Sequence, residues 1–301
     1  MSFKELSEIV RLNFLLLTPI TIFAGVAAAI YDGYGLNLFD TVIALLGALL
    51  AHISVNSLNN YFDYRSGIDA KSPKTPFSGG IRALVEGRAD PSVAVFVGTA
   101  ASIATLLVGI YFLIKLPLIF LIGLVGLAIV VLYTPVLCKI PFMSEPAAGV
   151  GFGLMILGMY AVEAGVIRGA AWPSFIIVSI LVGLLLFLNE FPDVEADREA
   201  GRRHTIIMLG RERTAKLYPI VVAVNYLLIV LFSLTGLLPF TCLMSLVSLP
   251  FGYKASKGVL RSKGKIPEVI PAMANNLLMV LITIAALGAG LLLGVLLRLP
   301  L

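Results

Sequence analysis

The chain has 301 residues, of which 59% are hydrophobic and 13% are charged, and its formal net charge is +5 at pH 7. Ordinary soluble domains carry about a quarter charged residues, so the composition excludes that class and predicts an integral membrane protein. A disulfide framework is also excluded, because Cys138 and Cys242 are the two cysteines and both fall in or beside apolar segments. We expect both thiols to be buried as small hydrophobic groups.

Nine apolar segments are long enough to cross a bilayer, which takes roughly 20 helical residues. They lie near residues 12–30, 38–60, 91–114, 116–134, 143–166, 173–191, 214–235, 237–253 and 269–297. The first is longer than a usual signal-peptide core, so we expect a retained helix. The sequence predicts an all-α membrane protein, with nine transmembrane helices in a single domain over residues 1–301.

Basic residues indicate how the chain is oriented, because Lys and Arg accumulate in cytoplasmic loops. With the N-terminus inside, all of the 22 Lys and Arg residues except Lys115, Arg168 and Arg298 fall on the cytoplasmic side. An odd number of spans then places the C-terminus outside. We therefore predict a multi-pass protein of the cell membrane in contact with membrane lipid. Its positive charge requires no nucleic-acid partner.

The second span carries polar side chains at helical spacing. His52, Asn56, Asn59 and Asp63 follow one another at i, i+4, i+7 and i+11, which places them on one side of a helix. Polar groups inside a span are costly and tend to face a bundle interior or a water-filled cavity. This series leads into a long polar connection, residues 61–90, on the predicted cytoplasmic side.

A second series leads into the other long connection, residues 192–213. Asn189, Asp193 and Asp197 run at i, i+4 and i+8, although Pro192 is expected to loosen that turn. Oxygen ligands gathered in two such clusters suit Mg²⁺, which is usually held by one or two carboxylates together with substrate phosphates. The two clusters together therefore predict a Mg²⁺-dependent diphosphate site, while a solvated helix end is an alternative interpretation of the second cluster taken alone.

These two stretches, "NNYFDYRSGID" and "NEFPDVEADREAG", resemble the paired Asp-rich motifs of the UbiA superfamily of intramembrane prenyltransferases. The resemblance covers nearly the whole chain. It implies a fold in which nine helices surround a central cavity, capped on the cytoplasmic side by the two motif loops. It also implies a reaction in which an isoprenyl diphosphate, such as geranylgeranyl diphosphate, binds through Mg²⁺, loses pyrophosphate and alkylates an aromatic or lipid acceptor.

Site residues follow from the same resemblance. The metal ligands that it implies are Asn59, Asp63, Asp69, Asn189, Asp193 and Asp197. The catalytic residues that it implies are Asp63, Asp193, Asp197, Tyr133 and Lys139. The diphosphate is expected to contact Asn56, Arg65, Lys74 and Arg202, with Arg82 and Arg198 as further candidates whose simpler interpretation is topology. Asp69 lies six residues after Asp63, and Lys139 six after Tyr133, where the family usually has four.

The acceptor is less closely specified. "SGGIRALVEGRADP" and "DREAGRRHTIIMLG" are most similar to the menaquinone and vitamin K branch, whose acceptor is 1,4-dihydroxy-2-naphthoate. "KSPKTP" partly resembles the branch that forms a prenyl ether on geranylgeranylglyceryl phosphate. Two other classes are a CDP-alcohol phosphotransferase, whose continuous motif the sequence lacks, and an ion-coupled or prenyl-lipid transporter, whose acids would lie nearer mid-span. His52 and Glu145 are both available as a general base.

Overall fold

The structure, a computed structural model, describes residues 2–73, 75–77, 82–262 and 265–297, and its regular elements in these ranges are helices. The α-helices are α1 Phe3–Ile9, α2 Leu17–Tyr31, α3 Leu38–Ser66, α4 Ile68–Lys71, α5 Arg82–Val85, α6 Pro91–Lys115, α7 Pro117–Leu132, α8 Ser144–Ala164, α9 Ala171–Asn189, α10 Val194–Glu199, α11 Thr205–Leu209, α12 Arg211–Leu234, α13 Leu249–Ser262 and α14 Ile266–Leu296. Short 3₁₀ segments are Leu12–Phe14, Leu137–Lys139 and Phe240–Ser248. The prediction of an all-α protein is confirmed.

Local sequence signals explain where the long helices begin and end. The Asn37 side chain accepts the backbone N–H of Asp40 at 3.2 Å, so it caps the start of α3. Gly67 ends α3 in the left-handed conformation, with φ of +78°, which glycine adopts without steric cost. The Asp90 side chain caps α6, whose first residue is Pro91, a position where the missing N–H of proline costs nothing.

Seven helices among the described residues are long and apolar enough to span a membrane: α2 with the preceding 3₁₀ turn, α3, α6, α8, α9, α12 and α14. The fourth predicted span, 116–134, is the shorter apolar helix α7. The eighth, 237–253, is wrong as a single α-helix, because a 3₁₀ segment, Phe240–Ser248, precedes α13. That segment packs against α14, where the Thr241 hydroxyl donates to the Gly290 carbonyl at 2.5 Å.

The two predicted motif loops are more helical than expected. Helix α3 continues to Ser66, and α4 and α5 form within the first loop. Helix α9 stops at Asn189, a turn follows, and α10 starts at Val194, so Asn189 and Asp197 do not lie on one helix as predicted. Pro192 falls in that turn, where its ring and missing N–H disfavour continuation of the helix. The second motif is thus a helix end joined to a short helix.

Helices α8 and α9 form the most closely packed pair, and together with α2, α12 and α14 they supply most of the buried apolar core. Gly149 of α8 faces the backbone of α9, and a Cβ at this position would collide with the Ser179 carbonyl. Gly153, one turn further on, likewise leaves no room for a side chain beside Phe175. Small residues at this spacing allow two membrane helices to approach closely. Both cysteines are free and buried, as predicted.

We expect Gly149→Ala to destabilise the protein although alanine favours helix. A methyl group has no space against the Ser179 carbonyl, and overpacking of this kind costs about 1–3 kcal/mol. Gly151→Ala is the matched control, because its Cβ would meet Ile129 at an ordinary 3.8 Å. Thermal unfolding of the purified variants in detergent should show a lower Tm for Gly149→Ala alone. Equal Tm values would contradict the close contact.

Candidate active site

A cavity of about 630 Å³ lies between the helices and is lined by residues of α2, α3, α6, α7, α8 and α9. Much of its wall is apolar and includes Gly47, Val108, Ile122 and Leu185. Polar side chains of the wall are concentrated around the ends of α3 and α9: Asn56, Asn59, Asp63, Asp69, Asn189, Glu190, Asp193 and Arg202. The cavity therefore joins a charged end to an apolar interior.

The polar series on α3 lies where its spacing predicts. His52, Asn56, Asn59 and Asp63 are all buried and all line the cavity. The amide of Asn56 donates to the carbonyl of Val10 at 2.9 Å, so its contact is with the N-terminal segment. Nδ1 of His52 lies 2.8 Å from the hydroxyl of Thr18 on α2. These bonds hold the first motif in place, and they leave the Asp63 carboxylate facing the cavity.

Arg11 is a site residue that the sequence interpretation missed. Its guanidinium donates to Oδ1 of Asn59 at 2.9 Å and to Oδ1 of Asn60 at 2.6 Å, and it lines the cavity. The backbone of Arg11 is left-handed, with φ of +51°, an uncommon conformation for a residue with a side chain. Basic residues just before a first span commonly mark the cytoplasmic side of the membrane. Nothing in the sequence therefore distinguishes Arg11 as a site residue.

Asp69 reaches the cavity in spite of its longer spacing from Asp63. Gly67 ends α3, and the short helix α4 follows and places Asp69, which is 8% exposed, in the cavity wall. The unusual spacing is therefore accommodated by a change of chain direction at the glycine. Asp63 and Asp69 face the same space as Asn189 and Asp193 of the second motif.

The second motif divides its residues between two positions. Asn189, at the end of α9, and Asp193, just before α10, line the cavity. Asp197 is 1% exposed and is not among the residues of the cavity wall. Its Oδ1 accepts a hydrogen bond from Arg202 at 3.0 Å. The structure therefore brings Asn189 and Asp193 to the cavity and places Asp197 behind them.

Arg202 joins the two motifs. One terminal nitrogen of its guanidinium donates to Asp63 and the other to Asp197, and the side chain is only 14% exposed. The planar guanidinium presents its donors in a fixed arrangement, which suits two carboxylates at once. Lys71 of α4 also pairs with Glu199 of α10 at 2.5 Å, so the two motif segments contact each other directly.

Burial and neighbouring carboxylates shift the pKa values of ionisable groups at this end of the cavity. Burial and the nearby Asp197 carboxylate raise the pKa of Asp193 to about 7. Burial, together with Glu145, raises the pKa of Glu190 well above its ordinary range. Although burial by itself would lower it, the Asp63 and Asp197 carboxylates raise the pKa of Arg202. Carboxyl groups with raised pKa values close together favour the binding of cations.

The remaining predicted residues lie in different places. Tyr133 lines the cavity, with its hydroxyl 3.4 Å from that of Ser144. Arg65 and Lys139 are exposed and line a separate pocket of about 280 Å³, which Asp63 and Arg202 also border. Arg65 donates to the Tyr61 hydroxyl at 3.2 Å. Lys74 lies outside the described residues. The structure thus brings Tyr133, but not Arg65 or Lys139, into the main cavity.

Glu190 and His204 are further residues that the sequence interpretation missed. Glu190 follows Asn189 directly and lines the cavity, while His204 precedes α11 and is fully buried. Nε2 of His204 lies 3.2 Å from Oδ2 of Asp197. A lone histidine in a polar, basic loop gives no signal of burial in the sequence, because such loops are normally exposed.

Known proteins resemble this chain in sequence and in fold. The chain is 28% identical over 243 residues to 1,4-dihydroxy-2-naphthoate octaprenyltransferase of Bacillus subtilis (strain 168), covering 79% of this chain and 76% of that one. A UbiA homolog from Aeropyrum pernix K1 has the same fold, with a TM-score of 0.67, 17% identity and coverage of 92% and 97%. A UbiA homolog from Archaeoglobus fulgidus bound to DMAPP and Mg²⁺ has a TM-score of 0.59, 16% identity and coverage of 94% and 99%.

A protein-family match covers more of the chain than the relative described above. The sequence pattern of the UbiA prenyltransferase family matches residues 18–277, which is most of the chain and includes both Asp-rich motifs. The apolar spans, the cavity and the paired motifs are all consistent with that match. The chain is an integral membrane protein that belongs to the UbiA prenyltransferase family, and it is a prenyl-transferring enzyme.

Proposed function

We propose that this enzyme transfers a polyprenyl group from an isoprenyl diphosphate to 1,4-dihydroxy-2-naphthoate, with release of pyrophosphate and in dependence on Mg²⁺. The observation that carries the proposal is the cavity, whose end lined by carboxylates suits a metal-bound diphosphate and whose apolar interior suits a prenyl chain. The named acceptor is supported by the 28% identical naphthoate prenyltransferase, and the metal by the Mg²⁺-bound structural neighbour.

The residues present fit a hard divalent cation. The cavity wall offers carboxylate oxygens from Asp63, Asp69 and Asp193 and an amide from Asn189. Oδ1 of Asp193 is buried without a hydrogen-bond partner, as expected of an oxygen that faces a ligand. Asn59 is a predicted ligand whose oxygen is held by Arg11, and Asp197 is a predicted ligand held by Arg202. Bound Mg²⁺ supplies charge neutralisation to the departing diphosphate.

The chain's own cations complete the diphosphate site. Arg11, Arg82 and Arg202 line the cavity and present donors that match phosphate oxygens. We propose that they orient the diphosphate and stabilise the charge that develops on it as the allylic C–O bond breaks. Asn56 stays a predicted contact, and Arg65 and Lys139 stay predicted contacts that do not line the main cavity. Lys74 stays a predicted contact outside the described residues.

The apolar part of the cavity protects the allylic cation from water. Aromatic faces attract positive charge, and Phe77, Tyr133 and Phe152 line the cavity. The acceptor carbon attacks the allylic carbon as the bond to the diphosphate oxygen breaks, and the displaced proton of the acceptor must then reach a base. His52 of α3 also lines the cavity. We propose that it accepts this proton, because it is not one of the carboxylates proposed to bind the metal.

We also propose the membrane arrangement that the sequence predicts. Nine crossings of the cell membrane result if α7 and the Phe240–Ser262 segment each cross together with the seven long helices. The N-terminus and both motif segments then face the cytoplasm as a cap, with the C-terminal end outside. The contact between Lys71 and Glu199 supports a common cap over the charged end of the cavity.

The proposed reaction is tested with purified protein, Mg²⁺, geranylgeranyl diphosphate and one of three acceptors: 1,4-dihydroxy-2-naphthoate, 4-hydroxybenzoate or geranylgeranylglyceryl phosphate. We expect the prenylated naphthoate by mass spectrometry, with pyrophosphate released in equal amount. Asp63→Asn and Asp193→Asn should each lower kcat/KM at least about 100-fold, since each loses a carboxylate that would hold the Mg²⁺ that neutralises the leaving group. Asp90→Asn is the control, because asparagine caps a helix as well as aspartate.

A product from geranylgeranylglyceryl phosphate alone would assign the enzyme to the ether-lipid branch. Prenyl diphosphate that crosses a proteoliposome membrane without pyrophosphate release would instead identify a transporter. Activity that persists in both aspartate variants would contradict the proposed site.

Replacement of Arg202 by lysine tests the bridge between the motifs. Lysine keeps the positive charge but cannot present two fixed donors to Asp63 and Asp197. We expect Arg202→Lys to lower kcat/KM at least tenfold, or about 1.4 kcal/mol, and to lower Tm. Arg198, a further candidate contact by sequence, is exposed, pairs with Glu195 and does not line the cavity. Arg198→Lys should therefore leave both unchanged. If Arg202→Lys is as active as the wild type, the bidentate bridge is dispensable.

Cysteine labelling tests the membrane orientation. Glu195 and Arg168 are both exposed, in α10 and after α8 respectively, and the proposed topology places them on opposite sides. In a background without the two native cysteines, a membrane-impermeant thiol reagent should label Arg168→Cys in intact cells. It should label Glu195→Cys only after permeabilisation. The reverse pattern would invert the topology.

A further inference from the structure

A second cluster of ionisable side chains lies beside the site described above. It comprises Glu145 in the first turn of α8, Glu190 after α9 and His204 before α11, which are 4%, 6% and 0% exposed. One potential ligand atom from each lies within 4.8 Å of the others. Glu190 belongs to the cavity wall, while Glu145 and His204 lie outside it.

Each residue of this cluster has at least one buried polar atom without a geometric hydrogen bond, although Glu190 also interacts with Ser144 and Glu145. Oε2 of Glu145, Oε2 of Glu190 and Nδ1 of His204 are each buried without a partner among the described residues. Oε1 of Glu145 accepts the backbone N–H of Thr205 at 2.9 Å, which fixes the direction of the other oxygen. Buried polar atoms are normally satisfied, so three together in one place indicate a ligand.

The distances suit a shared cation better than a direct hydrogen bond. Nδ1 of His204 and Oε2 of Glu190 are 3.7 Å apart, which is too long for a hydrogen bond. Ligand atoms about 2.0–2.2 Å from one tetrahedral ion lie roughly 3.4 Å from each other. Small movements of these side chains would therefore place both atoms on the same ion.

Asp197 lies beside the other nitrogen of the imidazole. Nε2 of His204 is 3.2 Å from Oδ2 of Asp197, although the two atoms are not aligned as a hydrogen bond in the described structure. A small rotation of the ring would let Nε2–H donate to Asp197 and leave the Nδ1 lone pair toward Glu190. Metal-binding histidines generally donate their second nitrogen to a carboxylate in this way. The same Asp197 also accepts from Arg202, which connects the cluster to the bridge between the motifs.

Charge and ligand type then narrow the choice of ion. Glu145 and Glu190 add two buried carboxyl groups near the two, Asp63 and Asp197, that contact Arg202, and buried charges require a partner of opposite sign. A set of one imidazole and two carboxylates suits Zn²⁺ or Mn²⁺, whereas Mg²⁺ is held by oxygen ligands and keeps several waters.

We propose that Glu145, Glu190 and His204 bind one divalent transition-metal cation of the Zn²⁺ or Mn²⁺ class, at a site distinct from the Mg²⁺ ligands of the Asp-rich motifs. The ion joins the segment after α9 and the segment before α11 to the start of α8, and so positions Asp193 and Asp197. The site does not depend on the identity of the acceptor or on prenyl transfer.

Mn²⁺ binding to the tag-free, chelator-treated full chain tests this site without any substrate. Millimolar Mg²⁺ is added to occupy the oxygen sites of the motifs. We expect one retained Mn²⁺ per chain by mass spectrometry of the metal, displaced by Zn²⁺, with ¹⁴N coupling from an imidazole in pulsed electron paramagnetic resonance. Since the chain has two histidines, coupling that persists in His52→Gln identifies His204 even if His204→Gln fails to fold.

Matched variants separate the cluster from other carboxylates. Glu145→Gln and His204→Gln should weaken Mn²⁺ binding more than about tenfold, which is the effect expected even for groups that only support a metal ligand. Glu163→Gln, at the other end of the same helix α8, should bind Mn²⁺ as the wild type does. Absence of retained Mn²⁺, or ¹⁴N coupling lost in His52→Gln, would overturn the proposal and favour a proton shared between the two glutamates.

Discussion

The bridge from Arg202 to Asp63 and Asp197 is the contact on which the arrangement of the site depends. It joins carboxylates from two motifs, and Asp63 and Arg202 are 139 residues apart in the chain. Loss of one partner from a buried ionic group leaves an uncompensated charge, which is strongly destabilising. The end of α3 and the segment after α9 are therefore held together by the fold before a substrate binds, and the motif carboxylates are preorganised.

Holding these carboxylates close together before a cation binds lowers the stability of the folded state. Asp193 is half-buried near Asp197, and its pKa is raised to about 7. Like charges held together in a poorly hydrated place disfavour the folded state until cations arrive. Functional sites commonly retain such local conflicts, which the rest of the fold offsets. Here the closely packed α8 and α9 pair, with its glycine contacts at Gly149 and Gly153, supplies the rigid support.

A polar residue indicates the site when it lies in an otherwise apolar membrane span. The same residue gives no such indication when it lies in a polar segment. Asn56, Asn59 and Asp63 could be placed on a cavity because a membrane span tolerates such groups only there. Arg11 and His204 lie in segments where charge and polarity are common, so only tertiary contacts reveal them. The Phe240–Ser248 segment is as apolar as a spanning helix, and hydropathy does not distinguish a 3₁₀ conformation from an α-helix.

The break in the second motif explains how Asn189, Glu190 and Asp193 reach one cavity wall while Asp197, outside that wall, contacts Arg202. An unbroken helix rises about 1.5 Å per residue, so Asp197 would lie roughly 12 Å beyond Asn189 along the axis. On such a helix Glu190 would also lie about 100° around the axis from Asn189. The turn after Asn189 brings Asn189, Glu190 and Asp193 into the same cavity wall. The same turn separates α10 from α9, and in this arrangement Arg202 contacts both Asp197 and Asp63.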